Sequence, residues 1–471
     1  MAARLQTWIL GVALSMVASS AFAWFDCDWP YRTEVTVSES SGISLIAYQI
    51  LLTLSAADFH SDYSWSSAGD DLRVLAQNNV TELPYFIESW DANAETARVW
   101  VQLDSLPASS ISTLFLYVGN MTASAKSTAD TFTESGIKFE TRFTTVNPTD
   151  KSSAFAAFNA APLATAGYGC TSVTDFTNIN NRNQFSPPSR TQNFGAYSES
   201  FFEVASGEAG VWSFRYGADF GRGGGLYVND VALEESWNGD LWWAFNWGAS
   251  DDVLEGSITL TEGYHKLEII GFEGCCDGGI TIQYRKPGGI YQTFQTSTIN
   301  VVSRQCPVQD PAVSFGALLT QLPDLDVVMS PQVLSDPINL DSNPKSLPGS
   351  YSQIAVEISN VGSGAPETGS LSFKSSLPEN SYLFLPATPF GFTDGPTPSG
   401  LTLNYLGLNS VTDNIEFSDD SGLTFDYVPA PDAAGIEPNV TDLRITPAGT
   451  MNCATPSGDP SFVFSYQITV P

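Results

Sequence analysis

Along most of the chain, apolar and polar residues alternate in short stretches separated by clusters of Gly, Pro, Asn, Asp and Ser. A period of two sends successive side chains to opposite faces of a strand, so each stretch reads as a half-buried β-strand. Residues 33–37, 48–54, 72–75, 85–90, 97–103 and 113–118 form one such series, spaced as in a β-sandwich. The pattern returns at 258–270 and 280–285, and residues 462–471 alternate like a closing strand. Helical periodicity is nearly absent: only the Ala-rich segment 152–166 reads as a short helix or, equally, as a linker. The expected fold is all-β, several β-sandwich domains in series.

Composition shifts set the expected boundaries. Met1, Arg4, the apolar run from Trp8 to Val17 and then Ala21-Phe22-Ala23 match a secretory leader with an Ala-x-Ala cleavage site. Residues 1–23 are therefore set aside as a signal peptide, and the chain is expected to be secreted or exposed at the cell surface. Domains are expected at 24–132, 133–306 and 307–471, the last marked by a complete loss of tryptophan. No apolar run after the leader approaches the roughly 18 residues that cross a bilayer as a helix.

Four of the eleven tryptophans crowd into Trp237-Asn-Gly-Asp-Leu-Trp-Trp-Ala-Phe-Asn-Trp247. Core tryptophans follow the strand or helix period, whereas rings interleaved with Asn, Asp and Gly offer flat apolar faces beside hydrogen-bonding groups. Sugars present that same mixture of surfaces. Trp237, Trp242, Trp243 and Trp247 are thus candidates for stacking on a glycan, with Asn238, Asp240 and Asp219 orienting it. The plainer alternative is that the rings plug one end of a sandwich.

Three stretches resemble known families. Trp29-Pro30-Tyr31-Arg32, Asp70-Asp71-Leu72-Arg73-Val74, Leu83-Pro84-Tyr85-Phe86-Ile87-Glu88-Ser89-Trp90, Val99-Trp100-Val101 and Leu116-Tyr117-Val118-Gly119-Asn120 resemble the exported bacterial domain of unknown function 2341 (DUF2341). That resemblance implies a lectin-like sandwich with no agreed activity. Gly225-Leu226-Tyr227-Val228-Asn229-Asp230 followed by Leu260-Thr261-Glu262-Gly263-Tyr264-His265-Lys266-Leu267-Glu268-Ile269 is similar to the protective-antigen (PA14-like) sandwich of toxins, glycosidase modules and flocculins. Its adhesin branch binds sugar through calcium held by two adjacent aspartates before the Leu-Tyr-Val strand; here Asp219 stands there alone, followed by Phe220. Asn343-Pro344-Lys345-Ser346-Leu347-Pro348-Gly349 and Val356-Glu357-Ile358-Ser359-Asn360-Val361-Gly362 resemble immunoglobulin-like repeats of bacterial surface proteins, which implies a spacer.

Charge narrows the partners. Nineteen basic residues face 51 acidic ones, −32 net, and loss of Arg4 with the leader leaves −33. Phosphates would be repelled, which argues against nucleic acid and anionic membranes and favours cations, neutral glycans or basic partners. Calcium needs about six to eight hard oxygens, for which Asp219, Asn229, Asp230, Glu273 and Asp277 are the candidates if they converge. Asp251-Asp252, beside the tryptophans, either bonds sugar hydroxyls or faces water.

Six cysteines in an exported chain predict disulfides. A Cys275–Cys276 bond would close a strained ring, so these two are expected to pair outward with Cys170 and Cys306. Cys27 and Cys453 are then joined across the chain, linked to another molecule, or free. Catalytic constellations are scarce: His60 and His265 lack metal-spaced partners, and there is no Gly-x-Ser-x-Gly elbow. His265, inside an apparent strand, reads as structural, and the Gly221-to-Gly225 run as a turned loop rather than a phosphate cradle.

The sequence thus reads as a non-catalytic, surface-exposed glycan-binding or adhesion protein. The alternative is a structural or assembly accessory of a pilus or surface layer, in which the same rings would form a protein interface.

Overall fold

The computed structural model describes residues 24–471 apart from 66–67, 164, 186–189, 238, 250 and 307–308, so the expected signal peptide lies outside the described residues. The chain is all-β, with separate sheets and two short α-helices among the described residues. Three domains in series were expected. The described residues cluster into two compact units, one of Trp29–Gln77 with Thr81–Thr320, the other of Gln321–Pro471 with residues 24–28 and 78–80.

The larger unit holds two sandwich cores. In the first, a four-stranded antiparallel sheet runs in the order Ala312–Thr320, Tyr31–Ser38, Ile111–Val118, Arg73–Ala76. A second sheet, Leu45–Ser55, Thr96–Leu106 and Tyr85–Asp91, shares its core. Alternate side chains such as Val35, Val37, Leu52, Leu54, Val99 and Leu116 are buried there, as the period of two requires. The six strands expected from the pattern are all present. The seventh was not foreseen: Ala312–Thr320 lies beyond the expected boundary at 306, yet Tyr31 pairs with Thr320 and Ser38 with Ala312. Its Leu318 and Leu319 are exposed at the sheet edge, so it carries little alternating signal.

In the second sandwich, Val231–Trp237, Gly223–Val228, Gly263–Glu273 and Phe194–Val204 pair in that order. The facing sheet is Val253–Leu260, Gly210–Gly217, Thr281–Arg285 and Gln292–Thr293. Between them Phe202, Trp212, Tyr216, Ile269 and Tyr284 pack a common core. The Gly221-to-Gly225 run is not the expected loop. Gly223–Val228 is a fully buried strand, and Gly271 beside it leaves the space that the Phe220 ring occupies. The Ala-rich segment forms a helix over Lys151–Ala160, capped by the Asp150 carboxylate, which accepts the Ser153 amide at 2.7 Å. Ala154 and Phe158 seat it on Ile270 and Phe272. Phe86, Trp100, Phe132 and Phe201 join the two sandwiches, with the Phe132 and Phe201 rings stacked 4.6 Å apart.

In the other unit, Leu325–Ser335, Tyr351–Asn360 and Pro460–Thr469 lie side by side in one sheet. Phe373–Ser376, Asp442–Ile445 and Ile415–Ser418 form another. Ile354, Leu383, Leu443, Phe462 and Phe464 are among its core residues.

The disulfides correct the sequence expectation. Cys170 bonds Cys306 and Cys27 bonds Cys453, each pair within one unit, while Cys275 and Cys276 are free and exposed. Cys170 and Cys306 meet because the strand that begins at Cys170 and the segment after Val301–Ser303 flank the same sheet, a proximity that sequence order does not show. No helix among the described residues is long and apolar enough to cross a membrane.

Candidate functional site

The tryptophan stretch folds back on the strand end it follows. Asp219–Phe220 pairs with Leu241–Trp242, with Asp219 directly opposite Trp242. Opposed residues on paired strands project to the same side. Phe220 and Leu241 therefore enter the core, while Asp219 and Trp242 face out beside each other. The Trp242 ring also lies over Gly278, where a Cβ would fall 2.8 Å from its Cζ3 and would strike the Asp219 carboxylate.

The four tryptophans have different fates. Trp243 is buried, 3% exposed, donates from Nε1 to the Gly279 carbonyl at 2.9 Å, and rests on Gly217, where any side chain would collide with its ring. Trp237 ends the strand Val231–Trp237 and packs against the cluster of Tyr197, Tyr227 and Phe158 under the helix. Trp247, half-buried, lies 4.6 Å from Trp243, and the Arg215 guanidinium sits 4.2 Å from its ring and 4.0 Å from that of Tyr291. Only Trp242 is well exposed, at 47%. The plugging alternative thus holds for Trp243 and the stacking one is open to Trp242. Asn238 lies outside the described residues.

Phe245 was not singled out from sequence. It is 53% exposed, with its ring 6.3 Å from that of Trp242 and edge-on to it. Ala244 and Phe245 both have positive φ, 50° and 58°. A bulky residue seldom adopts that conformation, so the turn holds the ring outward against a backbone cost of order 1–3 kcal/mol per residue. The signal in sequence was its place among the tryptophans; the turn itself carried none. Asp252 closes this edge, accepting the Trp242 amide at 3.2 Å.

Of the expected cation ligands, Asp219 and Glu273 come together, with Asp240 nearby. A Cβ on Gly221 would meet Glu273 Oε1 at 3.2 Å and Asp240 Oδ1 at 3.8 Å. Burial pushes the Asp219 carboxyl up to about 6, with Asp277 and Asp240 adding repulsion against the opposing Gly278 amide bond. Burial, then the charge of Asp219, pushes Glu273 up to about 7 despite amide bonds from Cys275, Gly221 and Gly274.

Asp277 is committed elsewhere: its carboxylate accepts the Asn181 and Arg182 amides at 3.2 and 2.8 Å, at the start of the short helix Asn181–Gln184. Asn229 and Asp230 turn the hairpin at the far end of Gly223–Val228, a strand of roughly 17–20 Å. There Asn229 bonds the His265 ring and the Lys266 amide, and Asp230 pairs with Lys266 at 2.9 Å. The five residues do not converge, and among the described residues no three His, Cys, Asp or Glu side chains are placed to hold a metal ion. His265 is structural as expected, its Nε2 2.8 Å from the Thr261 carbonyl.

The model of DUF2341, a domain of unknown function, matches residues 68–148. That span takes in four strands of the first sandwich. Among solved structures, the chain is similar to the PA14 domain of the antifreeze protein MpAFP, at 15% identity and TM-score 0.28, covering 37% of this chain and 94% of that one. It is similar to the PA14 sugar-binding domain from an RTX adhesin, at 17% identity and TM-score 0.28, covering 36% and 99%. It is also similar to the A domain of epithelial adhesin 9 from Candida glabrata, solved with Galβ1-3GlcNAc, at 9% identity and TM-score 0.26, covering 36% and 89%. No curated protein matches. At such TM-scores, the function has to be argued from the site's own residues.

Proposed function

We propose that the chain is an exported, non-catalytic adhesion protein whose second sandwich binds glycans on the face formed by Trp242 and Phe245. One observation carries this reading: two large aromatic rings are held out to solvent by a strained turn and a two-residue strand, directly beside the half-buried Asp219 carboxylate. Stacking on a sugar face contributes on the order of 1 kcal/mol per ring. Asp219, Asp240 and Asp252 supply acceptors for hydroxyls around the rings.

Calcium enters the proposal as a ligand of Asp219 and Glu273, the two carboxylates that repel each other here. Bound there, it would supply positive charge that offsets their repulsion and free coordination positions for sugar hydroxyls. Residues 321–471 are proposed as the immunoglobulin-like spacer, with the signal peptide directing export.

A glycan array with the chain from Trp24 to Pro471, run with calcium and with a chelator, tests this. Binding is expected, with loss in Trp242→Ala and Phe245→Ala and weakening by the chelator. Absence of binding by folded protein, or binding that survives both substitutions, overturns the reading.

A second reading is favoured by a different observation. Leu325–Ser335 is an edge strand, and Val327, Val328 and Met329 on it are each about half exposed. Such an edge offers backbone groups and apolar side chains to another protein, as expected of an accessory to a type IV pilus or surface layer. A pull-down of a surface protein that persists in excess free sugar and is lost on Val328→Lys would favour it.

A further inference from the structure

The seam between the two sandwiches of the larger unit forms a solvent-open cavity of about 450 Å³, away from the Trp242 face. Four cations line it, Arg98, Lys151, Lys266 and Arg304, in a chain with only nineteen basic residues. Four carboxylates, Glu199, Asp230, Glu268 and Asp310, line it as well. They neutralise one another across the space. Lys266 Nζ is 2.9 Å from Asp230 and 2.7 Å from Glu88, Arg304 is 2.9 Å from Asp310, and Lys151 is 3.3 Å from Glu268.

Hydrogen-bonding capacity is nevertheless left over. Glu268, 4% exposed, has its Oε1 within 2.9 Å of the Tyr197 hydroxyl, but its Oε2 accepts no hydrogen bond. Arg304 Nε, also buried, donates none. Both atoms face an opposite charge, Glu268 Oε2 with Lys151 Nζ at 3.3 Å and Arg304 Nε with Glu199 at 3.8 Å, yet neither makes an aligned hydrogen bond, so the cavity can still take a molecule that supplies both a donor and an acceptor. Trp100, Phe155 and Tyr197 add flat apolar wall. The volume falls within the roughly 300–1,000 Å³ of small-molecule sites.

We propose that this cavity is a second ligand site, for a neutral, hydroxyl-rich molecule of mono- or disaccharide size. A hydroxyl both donates and accepts, so one ring of them satisfies Glu268 Oε2 and Arg304 Nε while its C–H face lies on the aromatic wall. A charged ligand would have to separate one of the existing ion pairs, whereas a neutral one leaves them intact. The inference stands apart from the glycan face and does not rest on it.

The test is titration calorimetry of the chain from Trp24 to Pro471 with methyl glycosides of glucose, galactose and mannose, and with glucuronic acid. All samples carry Trp242→Ala, so the outer face contributes nothing. A neutral glycoside is expected to bind with Kd of about 1 mM or tighter, and glucuronic acid more weakly. Glu268→Gln should weaken binding about tenfold. Asn159→Trp, at an exposed lining position on the helix, should block the mouth without touching the core. Failure of every neutral glycoside to bind, preference for glucuronic acid, or unchanged affinity in folded Asn159→Trp protein overturns the proposal.

Discussion

Replacing Trp243 by alanine and, separately, Trp242 by alanine distinguishes a ring that holds the site from a ring that forms it. Trp243 is 3% exposed, packs against Trp247 at 4.6 Å and bonds the Gly279 carbonyl. Loss of a buried aromatic to alanine costs about 3–5 kcal/mol, and the Gly279 carbonyl would also lose its partner. Gly217 beneath cannot fill the space, and neither neighbouring strand can close on it, since both are fixed in register. For a unit of this size the loss corresponds to a fall in Tm of about 5–8 °C. Trp242, 47% exposed, makes its main contacts with Phe245 and Gly278, so its loss should cost less than about 1 kcal/mol while abolishing glycan binding. Scanning calorimetry on both variants, alongside glycan binding, reads the contrast. A Trp243→Ala protein that melts within 2–3 °C of wild type, or a Trp242→Ala protein that melts as low as Trp243→Ala, would refute the division of roles.

Three further outcomes follow from the same geometry. Peptide mapping under non-reducing conditions should recover Cys170–Cys306 and Cys27–Cys453 with Cys275 and Cys276 as thiols. Removing Cys170–Cys306, which closes 136 residues, should destabilise the larger unit by about 5 kcal/mol on the chain-entropy account; a Cys275–Cys306 peptide would contradict the fold. Glu273 is raised from an ordinary 4.5 to about 7, so its protonated form stabilises the fold below about pH 4.5, and that contribution is lost as pH rises through 7. Glu273→Gln carries no such loss, so its Tm relative to wild type should climb between pH 5 and pH 8; a difference independent of pH counts against this reading.

The alternation of apolar residues by itself determined the fold class and the six local strands of the first sandwich, because a period of two is set by backbone geometry and survives without knowledge of partners. The crowding of tryptophans likewise marked the right segment, since ring density is a property of the chain. What sequence could not rank was exposure: Trp242 and Trp243 are neighbours, and strand alternation sends one out to solvent and the other under Gly279. Non-local pairing decided the rest. The strand Ala312–Thr320 joins Tyr31–Ser38 from nearly 300 residues away, and the cysteines pair by sheet order rather than by spacing. Asp219 and Asp230 stand eleven residues apart, yet one buried strand separates them by its whole length, while Glu273 returns to Asp219 on the neighbouring strand. The seam cavity has no sequence signature at all, because its eight charges come from both sandwiches and meet only when the two pack together.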